Sequence, residues 1–532
     1  MKTIPSVVHI LTLLVISLSM TASRPFCEEG VHSDVSEASP GTSVGGIQPK
    51  EPDGCSPVIE EGTISLSLEQ ALACVLSRNL GLEIQRFFPL LAEAGVELEH
   101  APFDPVLTAL LSNSDVRSQA GLMERITLGI NSVDTKSLSA SGSLSKKFTT
   151  GTEVSVGTEL SGQKLSSPLF NTEEYSARNY LTVTQPLLKG FGRPYNTAQI
   201  RIAEKKLEVE EILLADRVEE ILAAVENSYW ELVYAIRSVE IAKESLELAR
   251  SFLRIAESRL RAGAGIRVDV LEAQAALANR EADLYSAENA VKDGEDLLRT
   301  LLRLTETPEM WAASIEPGGV PEVLPETPQL DSCLELAVEK RRDHRVLKLQ
   351  IEEGDLSIQA AKRDRLPSFD LFATYARNGL ATEPGPAYKI TWNEDFREYT
   401  YGFQFSYPFG NHGARAGYDR AVLTRDQARV SLRRLEDQIV QEVRTAWRGM
   451  STELRRVQAT MEAERLAEQK LADMQSRYEA GRATSTDVFD FQEDLTRARV
   501  EVARAKINAL EAATALLRGM GVLADTRGVI VE

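Results

Sequence analysis

Residues Tyr399-Thr-Tyr-Gly-Phe-Gln-Phe-Ser-Tyr-Pro-Phe409 set an aromatic ring at every odd position: Tyr399, Tyr401, Phe403, Phe405, Tyr407 and Phe409. Between them stand Thr400, Gly402, Gln404, Ser406 and Pro408. A β-strand turns successive side chains to opposite faces, so this stretch has one greasy face and one small or polar face. A single strand of this kind also suits a soluble β-sandwich. Six aromatics in succession favour a bilayer-facing surface, because rings sit well at lipid interfaces.

The stretch belongs to an element order that occurs twice. Ala71-Leu72 matches Cys333-Leu334, and Asp104-Pro105 matches Leu366-Pro367, both 262 positions apart. Pro186 and Arg193 recur as Pro408 and Arg415, 222 apart, and Gly263 and Asp269 recur as Gly481 and Asp487, 218 apart. Each copy reads helix, strand, strand, long helix, turn, long helix. The shrinking offset leaves about 40 extra residues in the strand region of the first copy, where Ser137 to Leu160 is Ser/Thr/Gly-rich and β-like. The expected divisions are a signal peptide at 1–23, a flexible tail at 24–62, repeat 1 at 63–304, a Pro-rich linker at 305–329, repeat 2 at 330–523 and a C-terminal tail at 524–532.

The expected strands lie near 107–113 and 178–187 in the first copy and 368–377 and 397–409 in the second. Four strands leave open edges, which cannot face lipid, so copies of the chain must close the sheet. Three copies would give about twelve strands, within the range of membrane barrels.

The helices carry a heptad seam. Leu214, Val218, Ile221, Val225, Ser228, Leu232, Ala235, Val239, Ala242, Leu246, Ala249, Leu253, Ala256 and Leu260 follow 4-3 spacing, and thirteen of these fourteen are apolar. Val488, Phe491, Leu495, Ala498, Val502, Ala505, Ala509, Ala512 and Leu516 repeat the spacing in the last helix. Such stripes pack helices side by side. A continuous helix over 191–261 would run about 105 Å, far beyond a bilayer's roughly 30 Å. A stalk or tube projecting into an aqueous space follows.

Bulk properties narrow the function. The start, Met1 to Ser23, has Lys2 as its single charge and an apolar run from Val7 to Met20, the pattern of a secretory signal. Phe26 does not suit the small-residue position before a lipidated cysteine, so Cys27 is not expected to carry lipid; a Cys27–Cys55 disulfide stays open. With 79 acidic against 60 basic residues, the net charge of −19 disfavours nucleic acid. No 18-residue uncharged apolar run follows the signal, so strands rather than helices must cross any membrane. Five scattered histidines, no phosphate loop, no nucleophile elbow and no cysteine or histidine metal spacing leave an enzyme, a cofactor or a metal site without support.

Two turns are the most specific feature. One is Arg261-Ala-Gly-Ala-Gly-Ile-Arg-Val-Asp-Val-Leu-Glu-Ala-Gln274, the other Tyr478-Glu-Ala-Gly-Arg-Ala-Thr-Ser-Thr-Asp-Val-Phe-Asp-Phe-Gln492. Gly263 and Gly481 suit the left-handed position that ends a helix, Ser485 or Thr486 can cap the next, and Asp487 complements its dipole. Capping alone accounts for these residues.

The turns, the Gln185-Pro-Leu-Leu-Lys-Gly-Phe-Gly-Arg193 segment and its echo Tyr407-Pro-Phe-Gly-Asn-His-Gly-Ala-Arg415, and the openings Leu68-Glu-Gln-Ala-Leu72 and Asp331-Ser-Cys-Leu334, resemble the TolC-like outer-membrane efflux proteins from about Leu66 to Leu523. The resemblance implies an α+β membrane protein. It would be a homotrimer whose twelve-stranded transmembrane β-barrel, four strands per chain, continues into a periplasmic α-helical coiled-coil barrel. It implies a passive conduit in the outer membrane, opened through a periplasmic adaptor (membrane fusion) protein and powered by an inner-membrane transporter. By the same likeness, Asp487 and Asp490 would form acidic rings at the periplasmic tip, and Tyr478 would be a gate residue bonding Asp269 when closed. Gly263, Gly481 and Arg482 would face the adaptor. A second gate link of the family joins an Arg to a Thr; Ala483 and Val268 stand there, so that link is not expected. The alternative is a non-transporting coiled-coil tether spanning the envelope, which the heptads permit but which leaves the aromatic strand unexplained.

Overall fold

A computed structural model describes residues 59–60, 62–166, 171–263, 265–305, 307–321, 324–480 and 482–529, with only the backbone of 59, 60, 124 and 128. The expected signal peptide, nearly all of the expected tail, Cys27, Cys55 and Gly481 lie outside the described residues. Cys74 is disulfide-bonded, with its partner outside the described residues, and Cys333 is a free, buried thiol.

The first half of the chain runs α1 (Leu68–Arg78), α2 (Leu80–His100), β1 (Val106–Gln119), β2 (Ser132–Lys147), β3 (Glu153–Ser166), β4 (Asn171–Pro186), α3 (Ala198–Arg261) and α4 (Arg267–Leu302). The second runs α5 (Leu330–Lys340), α6 (Arg342–Asp364), β5 (Ser368–Ala381), β6 (Arg397–Ser406), α7 (His412–Glu479) and α8 (Ser485–Met520). The order helix pair, strands, two long helices therefore occurs twice. Short helices at Leu122–Leu128 and Pro384–Asn393 stand in the β1–β2 and β5–β6 connections.

Helix α3 has 64 residues and α7 has 68, about 96 and 102 Å at 1.5 Å per residue. Both run the length of a four-helix ribbon. Toward the sheet they lie with α2 and α6, and toward the hairpin turns with α4 and α8. The expected seam on α3 is buried at Val218, Ile221, Val225, Leu232, Leu246, Ala249 and Ala256. Around its middle α3 also buries Leu222, Tyr229, Trp230 and Val233, because α1 and the ends of α4 and α8 close over that side. A seam of two faces becomes a core of several.

The linker and the C-terminus contribute to this core. Ser314–Pro317 pairs in parallel with Thr63–Leu66, burying Ile315 and Ile64, so residues 305–329 include a wedged strand as well as a spacer. Leu523, Ala524 and Val529 are buried, and Arg527 forms an ion pair with the fully buried Glu226. The expected tail from 524 is packed through Val529.

The largest departure from expectation is the sheet. It holds six strands in the order β1-β2-β3-β4-β5-β6, every neighbour antiparallel, not four per chain. The extra Ser/Thr/Gly-rich sequence is the β2–β3 hairpin, inserted between β1 and β4. Its apolar residues are spaced by Ala140 and Gly142, so its alternation is faint to a hydropathy reading. The register makes the alternation plain. Leu107, Leu144, Val156, Leu181, Tyr375 and Tyr399 lie directly opposite one another across all six strands, and each is exposed. One residue along, on the other face, Ser145, Ser155, Thr182, Thr374 and Thr400 form a hydroxyl row, with Thr182 and Thr374 2.9 Å apart. Strand β6 stops at Ser406, since Pro408 has no N–H to pair and its carbonyl closes a turn with Asn411. Tyr407 and Phe409 thus lie beyond the strand, and Phe409 is 99% exposed.

Candidate functional site: the hairpin tip

The two helical hairpins meet at the end of the ribbon farthest from the sheet. There Phe252, Ala256, Ala273, Leu471, Tyr478, Val488 and Leu495 form a separate small core. Gly263 adopts φ +71 after α3, the left-handed value that a glycine accepts without strain. The cap of α8 is Thr484, one residue before the expected Ser485. Its hydroxyl accepts from the Asp487 N–H at 3.2 Å while Asp487 accepts from the Thr484 N–H at 2.8 Å and hydroxyl at 2.6 Å. This capping box satisfies two otherwise orphaned donors. The Thr484 contacts hold the Asp487 carboxyl below its ordinary range. In α4, Asp269 plays the same part, accepting from the Ile266 N–H at 3.3 Å.

The second oxygen of Asp269 joins the hairpins. Ser485, 3% exposed, donates to it at 3.0 Å and lies 3.1 Å from Glu272; Thr486 donates to Glu272 at 3.1 Å. Tyr478 is buried beneath this link. Its ring packs 5.1 Å from Phe252, and Arg259 stacks on it at 4.4 Å while donating to the Tyr478 carbonyl at 3.0 Å. Burial pushes the Tyr478 phenol up from its ordinary value.

Tyr478 and Asp269 are thus brought to one place, but within the chain Asp269 bonds Ser485 and Ile266 rather than the tyrosine. Asp490 is exposed and takes no hydrogen bond or ion pair among the described residues. Arg482 is exposed beside the turn, Val268 is 54% exposed and Ala483 packs into the small core. The Ser485 to Asp269 link went unread because serine at a helix start is explained by capping alone. The Arg259 contact has no local signal, since 219 residues separate it from Tyr478.

A sheet with an exposed apolar row from Leu107 to Tyr399, carried on helical hairpins nearly 100 Å long that end in a polar, cross-linked tip, defines a membrane channel component with a stalk. The chain belongs to the outer membrane efflux protein family, whose model matches residues 90–302 and 333–522. Its place is the outer membrane, with the helices in the periplasm. Among the described residues no helix is long and apolar enough to cross a membrane. Solved structures agree on the fold. The outer-membrane channel OprN superposes with a TM-score of 0.65 at 18% identity, covering 85% of this chain and 89% of that one. The outer membrane protein VceC from Vibrio cholerae gives 0.62 at 17% identity over 85% and 96%, and the CmeC outer membrane channel of Campylobacter jejuni 0.63 at 14% over 93% and 95%. No curated protein sequence matches the chain.

Proposed function

We propose that the protein is a passive trimeric conduit of an export system, spanning the outer membrane with its sheet and the periplasm with its helices, and gated at the hairpin tip. The observation that carries the reading is the two-faced sheet whose two edges, β1 and β6, are unpaired among the described residues. An edge strand in a bilayer leaves its N–H and C=O groups without partners, so copies of the chain must pair edge to edge. The apolar face then meets lipid, the aromatics of β6 among it, and the hydroxyl rows line the water-filled bore.

The helical ribbon has matching open sides. Ile84, Phe87, Leu91 and Leu98 form an exposed stripe on α2, and Leu423 and Val430 an exposed pair on α7. Such stripes on the two flanks suit closure of the ribbons into a tube.

At the tip, the Ser485–Asp269 and Arg259–Tyr478 contacts hold the two hairpins of one chain together. Acidic Asp490, with Asp487, would ring the narrow end. A periplasmic adaptor would meet the turns at Gly263, Gly481 and Arg482 and transmit the work of an inner-membrane transporter. Two related halves, 63–304 and 330–523, would descend from one duplicated unit.

Planar-bilayer conductance measured together with particle mass on protein extracted from outer membranes tests this. Discrete channels from a particle of three copies are expected. A monomeric product without conductance would sink the reading and favour the envelope-spanning tether.

A further inference from the structure

We infer that the β2–β3 hairpin is a segment of the pore wall, so that each copy contributes six strands and three copies close an eighteen-stranded barrel rather than a twelve-stranded one. The number of copies rests on the function proposed above; the six strands per copy do not. The alternative is that 132–166 folds away from the wall and leaves β1 against β4.

Its pairing, its length, its side-chain rows and its fit to neighbouring segments place the hairpin in the wall. It lies between β1 and β4, with fourteen registered pairs on each of its three seams, so β1 reaches β4 only through it. Its strands are 16 and 14 residues long, while about 9–11 tilted residues cross a bilayer. Its side chains continue both the apolar row, at Leu144 and Val156, and the hydroxyl row, at Ser145 and Ser155.

The hairpin is also shaped to β4 on both faces. A Cβ on Gly157 would stand 2.5 Å from the Tyr180 ring, and one on Gly162 would stand 2.4 Å from the Tyr175 ring. The two glycines therefore make room for the rings of the neighbouring strand on opposite faces. The inner turn of the hairpin is built into the strand-to-helix elbow. The Gly192 N–H donates to the Thr150 carbonyl at 3.0 Å, Thr152 bonds Gln185, and a Cβ on Gly151 would stand 2.2 Å from the Gly190 carbonyl oxygen. A loop excursion needs no such fit.

The consequence is a wide exit. Barrel diameter grows roughly in proportion to strand number, from about 24 Å backbone to backbone at twelve strands to about 36 Å at eighteen, for strands about 4.8 Å apart tilted about 40°. Eighteen strands leave an open aqueous channel. The outer portal would then pass a hydrated chain as thick as an α-helix, about 10–12 Å, with room to spare. Size selection would fall to the tip.

Spin–spin distances read the wall directly. A label at Tyr401→Cys, on the exposed face of β6, reports threefold-related copies in the detergent-extracted particle; Cys74 is bonded and Cys333 buried, and the unsubstituted chain labelled in parallel supplies the background from Cys27 and Cys55. Backbone separations of about 30 Å are expected from eighteen strands and about 20 Å from twelve, a difference of about 10 Å whichever way the label leans. A deletion of 132–166, which leaves β1 and β4 antiparallel, should shorten the distance by that amount. A three-copy particle with the shorter distance in the full chain overturns the inference, and the full chain alone decides it where the deletion variant does not fold. A particle mass other than three copies removes the underlying reading instead.

Discussion

Ser485 donates from its hydroxyl to Asp269 across 3.0 Å, fastening the first turn of α8 to the first turn of α4. The two residues stand 216 positions apart, and each begins the return arm of one hairpin. A hydrogen bond to a carboxylate contributes about 1.5–3 kcal/mol, so this bond is a substantial polar tie between the hairpins at their tip. Ser485→Ala should raise the open probability of the channel in planar bilayers severalfold while leaving the thermal midpoint within a few degrees. Unaltered gating would show that the hairpins are held by their apolar contacts alone.

Tyr478 separates packing from hydrogen bonding. Its ring is gripped by Phe252 and Arg259, while its hydroxyl makes no bond to Asp269 within the chain. Tyr478→Phe is expected to preserve stability of the tip, whereas Tyr478→Ala leaves a cavity costing about 3–5 kcal/mol locally. Protease cleavage near the turns, followed with time, distinguishes them. Equal cleavage of the two variants would mean that the hydroxyl bonds something in the assembled channel, the gate role suggested by resemblance.

Asp487 and Asp490 should contribute unequally to ion selectivity. Asp487 is occupied by Thr484 and by the positive end of α8, and Asp490 is exposed and unbonded among the described residues. Reversal potentials in a salt gradient should move further toward neutrality in Asp490→Asn than in Asp487→Asn. The opposite ranking would argue that Asp487 leaves its cap and faces the pore. Acidification should loosen the cap: a depressed carboxyl stabilises above its ordinary value and loses that contribution as pH falls through it.

Glu511 predicts a pH dependence of opposite sign. Burial first, and then the charge of Glu231, push its carboxyl up to about 7, against the opposing pull of Arg504. The folded chain therefore keeps a proton that the unfolded chain releases near 4.5. This contribution is present in full below that value and is lost as pH rises toward 7. Thermal midpoints of the wild type should fall between pH 5 and pH 7.5 relative to Glu511→Gln. Parallel curves for the two proteins would refute the assignment.

The C-terminal segment should be indispensable. Arg527 is the ion partner of Glu226, which is 0% exposed and also accepts from Thr514. Arg527 is itself partly exposed, so its loss leaves the buried Glu226 carboxylate with Thr514 alone and costs about 1–3 kcal/mol. Arg527→Ala and truncation after Leu523 should both lower the denaturation midpoint markedly, and a variant that melts with the wild type would show the segment to be a true tail.

Much of this architecture could be read from local pattern. Aromatic alternation at 399–405 marked β6, and the paired Pro-to-Arg elbows marked each change from strand to long helix. Gly263 and Asp487 announced the turns, because a left-handed helix end and a capping box are requirements of the backbone within a few residues. Strand number was not legible in the same way. In β2 and β3 the outward residues include Ala140 and Gly142, which score as neither greasy nor polar, and only their neighbours Leu111 and Leu160 or Ala109 and Thr158 reveal the face they share.

The sequence by itself determined the twofold order of elements, the length of the helices and the two-environment character of the sheet, since these follow from periodicities of 2 and 3.5 residues along one chain. Packing of distant segments decided that six strands make one sheet, that Ser485 meets Asp269, that Arg259 lies on Tyr478, and that residues 523–529 seal the core over Glu226. Each of these joins positions far apart in the chain, from about 200 to 300 residues for the side-chain pairs. Their partners are chosen by register and packing, which no local spacing records.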